Sequence, residues 1–189
     1  VKGTAVYTSA FTPSTSPLTA ISGTSLLICQ SNRFIDNSAN NFTITKNGDV
    51  SVQRFSPFSP SSAYSTSVIG GSGYFDGSGD YLTYPPGAGV AFGTGDFTVE
   101  FFIYPTASIS QVYLMDARNS SQTSSWAIGF NLNNTGAGQF TFFNGVAATA
   151  YNESSQSCVL NQWNHCVVVR SGTTFSMYTN GTRVYTTTN

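Results

Sequence analysis

A chain of 189 residues with a net charge of −1 and only 8 % charged residues has no cluster of Lys or Arg. That argues against nucleic acid and anionic membrane surfaces as partners, since both need clustered positive charge. Hydrophobic residues make up 40 % and aromatic residues 14 %, so the chain can offset the entropy of folding while Ser, Thr, Asn and Gly keep it soluble.

Helical periodicity is nearly absent, and short β-branched and aromatic runs alternate with Gly, Asn, Ser and Pro. The first run, VKGTAVYTS at residues 1–9, is a strand pattern, followed by a Pro/Ser-rich stretch to Pro17 that reads as extended chain. Residues 32–55 read as strand, turn and strand, with Asn47-Gly48 as the turn. A second Pro/Ser-rich stretch runs through residues 55–67. In GDFTVEFFIYP, residues 95–105, Phe97, Val99, Phe101 and Ile103 form an apolar face. Thr98, Glu100, Phe102 and Tyr104 form a mixed face that is partly covered or used. Residues 139–143 are a further strand. Residues 163–185 read as three antiparallel strands joined at Ser171-Gly172 and Asn180-Gly181, the latter a type I′ signal. The similarity of KGTAVYTS to NGTRVYTT is taken as coincidence of β composition rather than a repeat.

The run GGSGYFDGSGDYLTYP, then FGTGDFTVEFFIYP, then WNHCVVVRSGTTFSMYTNGTRVY resembles the laminin G-like branch of the concanavalin A-like lectin/glucanase superfamily. The resemblance covers roughly residues 70–185. It implies an all-β, two-sheet antiparallel jelly-roll sandwich over residues 66–189, incomplete at the C-terminus. Residues 1–65 then serve as the closing strand of a preceding repeat, an extended linker and a small hairpin. The lead-in LLICQSNRFIDNSANNFTITKNGDVSVQRFSPF is similar to segments between tandem copies in virion proteins of marine tailed phages. A start at Val1 fits a processed or excised piece. On this reading residues 1–9 lie apart from the sandwich that residues 66–185 build.

The resemblance also frames the candidate sites. Glucanases of the superfamily carry E-x-D-x-x-E on one strand, which this chain lacks, having only Glu100 and Glu153. A non-enzymatic role is therefore expected. Asp76 and Asp80 in YFDGSGDYLTY have two readings: calcium ligands with Asp116 as a third, or side chains that close a Gly-rich turn. The turn is favoured, so no cofactor is expected, with calcium as the alternative. Tyr113, Asn119 and Trp126 are the candidate ligand contacts, because exposed aromatics stack on sugars or anchor interfaces. Core packing is the plainer reading for Trp126 and for Trp163. His165, inside a Val-rich strand, reads as structural. The three cysteines, Cys29, Cys158 and Cys166, cannot all pair internally. Buried reduced thiols are favoured, and a Cys158–Cys166 bridge is the alternative.

The function implied is a phage virion structural module, a tail-fibre or capsid-decorating domain on the particle surface. Its partners would be other virion proteins, copies of itself and host-surface glycans, with no nucleic acid and no membrane insertion. The alternatives are a secreted cellular lectin or adhesin and, less favoured, a glycoside hydrolase.

Overall fold

The computed structural model describes residues 1–28, 34–58, 71–85, 88–107, 111–118, 126–132, 138–144 and 151–188. Cys29 and Asn119 lie outside the described residues. The chain forms two compact units, one of residues 1–2 and 14–90, the other of residues 3–13 and 91–189.

Among its described residues the first unit carries four three-residue strands: β1 (Thr45–Asn47), β2 (Ser51–Gln53), β3 (Ser72–Tyr74) and β4 (Tyr81–Thr83). The turn at Gly48 forms, with φ at 74°, in the region that favours glycine. The expected hairpin does not. β1 pairs with β4 and β2 with β3, both antiparallel, so the two strands flanking the turn part to different neighbours. A Cβ at Gly48 would collide with Asp80, so the missing side chain is what lets the turn pack against residues 79–80. Elsewhere in this unit the buried Asp36 carboxylate accepts backbone N–H bonds from Leu27, Ser38 and Phe42 at 3.0, 2.9 and 2.9 Å. The Ser38 hydroxyl adds a fourth at 2.8 Å.

The second unit is an antiparallel sandwich. One sheet has the order β12 (Thr182–Thr188), β11 (Thr174–Thr179), β10 (Asn164–Ser171), β5 (Phe97–Ile103). The other runs β6 (Val112–Asp116), β7 (Ala127–Phe130), β8 (Gln139–Phe143), β9 (Tyr151–Ser157). The fold is all-β, as expected; among the described residues the sole helical turn is a 3-10 turn at Ala88–Val90. The core forms where Phe140 and Phe142 of β8 meet the opposite sheet. Phe142 lies 4.9 Å from Phe175 and 6.2 Å from Phe97, and Phe140 meets Phe101 edge-on at 5.8 Å. These are centroid separations at which aromatic pairs attract beyond their burial. The β11–β12 turn holds Asn180 at φ 51° and Gly181 at φ 78°, the pair of left-handed residues that a type I′ turn requires.

The alternation read in β5 explains its two faces. Phe97 and Phe101 enter the core, while Thr98, Glu100 and Phe102 point out of the sandwich. That outer face is covered by residues 3–13, which corrects the expectation that the N-terminal strand lies apart from this sandwich. The Gly3 N–H donates to the Asp96 carbonyl at 2.7 Å, and the Phe11 N–H to the Gly181 carbonyl at 3.0 Å. The Thr98 hydroxyl accepts from the Val6 N–H at 2.8 Å and donates to the Thr4 carbonyl at 3.0 Å. Ala5, Tyr7 and Phe11 pack on Val167, Val169 and Tyr178. The segment is a strap across the sheet face, not a further strand in the ladder. The physical reason is the apolar patch of Val167, Val169 and Tyr178 on the outer face of β10 and β11, which an isolated sandwich would leave open to water.

Candidate functional site

The DGSGD stretch is a turn. The Asp76 N–H donates to Asp80 Oδ2 at 3.1 Å, and the Ser78 N–H donates to Asp76 Oδ1 at 2.6 Å. Gly77 and Gly79 take φ of 89° and 77°, which side-chain-bearing residues rarely adopt. The parting of β1 and β2 brings a residue the sequence did not single out, Asp49, into the same corner. The three carboxylates come within 4.8 Å of one another. Repulsion follows: Asp80, with Asp76 behind it, raises the pKa of exposed Asp49. The turn uses Asp76 Oδ1 and Asp80 Oδ2, while Asp80 Oδ1 is buried without a hydrogen-bond partner.

Asp116, expected as a third ligand, is committed elsewhere. Its carboxylate takes a bidentate grip from Arg118, with Nη2 at 2.6 Å and Nε at 2.9 Å. That hydrogen bonding holds its pKa below the usual carboxylate value, against the push of burial. The same guanidinium lies 4.3 Å from the centroid of the Tyr113 ring and donates to the Tyr113 hydroxyl at 3.2 Å. Tyr113 is exposed, but one face of its ring is occupied by arginine. Trp126 takes the core-packing reading favoured from the sequence, which removes it as a ligand contact. It is 8 % exposed and stacks between Phe92 and Phe142, at 5.2 and 6.4 Å, inside the core. Its Ser/Thr-rich neighbours in sequence give no sign of this. Trp163 is half-buried, edge-on to Tyr104 at 5.6 Å.

The strap builds the more promising geometry. Tyr7 stacks on Phe11 at 3.8 Å, and Phe11 lies edge-to-face with His165 at 5.6 Å and tilted against Tyr178 at 5.4 Å. Glu100 lies beneath, with Oε2 3.7 Å from His165 Nε2. Burial, then Glu100, pushes the Tyr7 phenol far above its ordinary pKa, so it stays a neutral donor. His165 is buried among these rings, and neither of its ring nitrogens has a hydrogen-bond partner. Beside Tyr7 the strap leaves a groove of about 150 Å³. Val169 forms part of its wall, and Thr8, Ser171, Thr174, Ser176 and Arg183 line the rest. The register puts Ser176 opposite Val169 and Thr174 opposite Ser171, so their side chains share the outer face. Exposed Arg183 stands over the Tyr178 ring at 5.9 Å. An aromatic ring, four hydroxyls and one guanidinium can hold a polar, hydroxylated ligand. Sequence reading missed this set, although Thr174, Ser176 and Tyr178 alternating with Phe175 and Met177 does mark a polar outer row.

A laminin G domain model of the concanavalin A-like lectin/glucanases superfamily matches residues 76–189. Comparisons with curated proteins and with solved structures gave no significant match. The matched span begins at the Asp76 turn and runs through both sheets of the sandwich, which has the two-sheet antiparallel architecture of that family. By sequence and architecture alike, the chain belongs to the concanavalin A-like lectin/glucanase superfamily, in its laminin G-like branch, a family of carbohydrate-binding and adhesion-type modules.

Proposed function

We propose that this chain is a non-catalytic binding module that holds glycans in the groove beside Tyr7, and that it serves as a structural or host-attachment domain on the surface of a phage virion. The groove carries the first half of this reading. It offers a ring for sugar C–H faces, hydroxyls for sugar hydroxyls, and Arg183 for a carboxylate or an acetal oxygen. The missing E-x-D-x-x-E motif supports the non-catalytic part. The second half rests on the near-chargeless polar composition and on the lead-in segment similar to those between tandem copies in phage virion proteins. Partners on this reading are other virion proteins, further copies of the chain and host-surface glycans.

A glycan array with the purified chain tests the groove. Binding should weaken about tenfold or more in Arg183→Ala, matching the roughly 1.5–3 kcal/mol of a hydrogen bond to a charged group. The melting temperature should stay nearly unchanged, because Arg183 is exposed. Unaltered binding by Arg183→Ala and Thr174→Ala would move the site elsewhere. Mass spectrometry of purified particles tests the virion assignment separately.

A further inference from the structure

Cys158 and Cys166 take no part in the groove. Cys166 lies in β10 with no exposed surface, its backbone fixed opposite Phe101 of β5 and Thr179 of β11. Cys158 follows β9, and its N–H donates to the Gly138 carbonyl at 3.0 Å. The connection between them is tied down as well. Asn164 Nδ2 donates to the carbonyls of Val159 and Gln162, each at 2.9 Å, and its Oδ1 accepts from the Val159 N–H at 3.0 Å. The Asn161 N–H donates to the Pro105 carbonyl at 2.8 Å. With both ends and the link held, the two sulfurs sit 3.6 Å apart. They are free thiols in contact. Their settings differ. Cys158, but not Cys166, lines a small pocket with Pro105, Ala107, Phe130, Gly138 and Leu160. The pocket offers about 10 Å³, room for a molecule near the size of water.

We propose that this pair is a peroxide-responsive site, in which Cys158 attacks hydrogen peroxide and Cys166 closes a Cys158–Cys166 disulfide. Hydrogen peroxide is chosen as the smallest two-electron thiol oxidant, the one that needs the least opening beside Cys158; a bulky disulfide has no room there. In the first step the Cys158 thiolate attacks one peroxide oxygen and the O–O bond breaks. The departing hydroxide takes up a proton and leaves as water, and Cys158 becomes a sulfenic acid. In the second step the Cys166 sulfur, giving up its proton, attacks the Cys158 sulfur. The S–O bond breaks and the sulfenic oxygen leaves as a second water. Two thiols lose two electrons and one peroxide gains them. The hydrogen bond between the thiols divides the roles: Cys166 lowers the pKa of Cys158, while that bond and then burial raise Cys166 well above its usual value.

The test is intact mass and peptide mapping of the full chain after hydrogen peroxide, without reductant. The expected product has lost two hydrogens and gives a Cys158–Cys166 cross-linked peptide, with a melting temperature that rises and falls back on adding dithiothreitol. Cys166→Ser should leave a Cys158 sulfenic acid that dimedone traps, and Cys158→Ser should leave Cys166 unoxidised. Three results overturn the proposal, and the wild-type chain alone can give each of them. Both thiols remain alkylatable after peroxide; Cys158 runs on to sulfinic acid without a cross-link; or the cross-link found joins Cys29.

Discussion

Asp36 shows how one carboxylate can organise a stretch that has little regular structure. Burial opposes its charge, yet three backbone donors and the Ser38 hydroxyl outweigh burial and hold its pKa below the usual carboxylate value. A folded pKa lower than the unfolded one gives stability that is fully present above about pH 4. It is lost as pH falls through the folded value, so the unit of residues 14–90 should loosen first on the acid side. Asp36→Ala should cost roughly 2–4 kcal/mol by orphaning buried donors. Asp36→Asn should flatten the acid limb of a pH–stability curve followed by circular dichroism. The Asp49, Asp76 and Asp80 corner gives a second residue-scale expectation. As a turn, it should leave the melting temperature unchanged when a chelator is added. A bound ion at a hundred times its dissociation constant would stabilise by about 2.7 kcal/mol. A drop of several degrees on chelation would therefore install a cation there. The turn was legible because Asp and Gly spacing is local information. The arrival of Asp49 was not, since it depends on which strands β1 and β2 choose as partners.

At the scale of elements, the best-read parts are those whose signal lies within a few residues. The alternation in β5, the Val run of β10 and the Asn180-Gly181 turn each specify themselves. β9, YNESSQS, has no apolar alternation, and it is a strand because Phe-rich β8 offers it a ladder. The strap is the main misreading. Its Pro/Ser-rich end announced extended chain, but the destination is set by Val167, Val169 and Tyr178, far along the sequence. Phe11→Ala should therefore lower stability by roughly 2–3 kcal/mol, below the full cost of a core aromatic because Phe11 is half-buried. It should also open residues 3–13 to limited proteolysis while the sandwich survives. Gly181→Ala should act on the same contact from the other side. A Cβ there would meet the Phe11 carbonyl, and φ at 78° already disfavours alanine.

For the whole molecule, the sequence motifs were enough to reach the family, because the laminin G-like signature is spread over many strands. They were not enough to locate the groove, which the strap and three strands assemble from opposite ends of the chain. Tyr113 and Trp126 illustrate the difficulty: both are aromatics among polar neighbours, and only packing separates the surface ring from the core one. The non-catalytic reading makes a molecular-scale expectation. Oligosaccharides that bind on an array should be recovered intact, with reducing-sugar release at the level of a buffer control. Steady release, abolished by Glu100→Gln, would turn the module into a hydrolase.

On the proposed attachment role the module bears tension, and the strap defines how a pull on residues 3–13 is met. Its contacts are strung in series along the sheet face, Gly3 on Asp96, then Thr98, then Tyr7, then Phe11, so a pull breaks them one after another like a peeled tape. A strand in the ladder would resist in shear, with all its bonds loaded together. Freeing residues 3–13 would release about 37 Å of chain at full extension before any sheet bond is strained. In an optical trap this should appear as a short, low-force, reversible step ahead of the main rip. Phe11→Ala should lower the force of that step and leave the rip unchanged. The strap would then act as a shock absorber in front of the sandwich it covers.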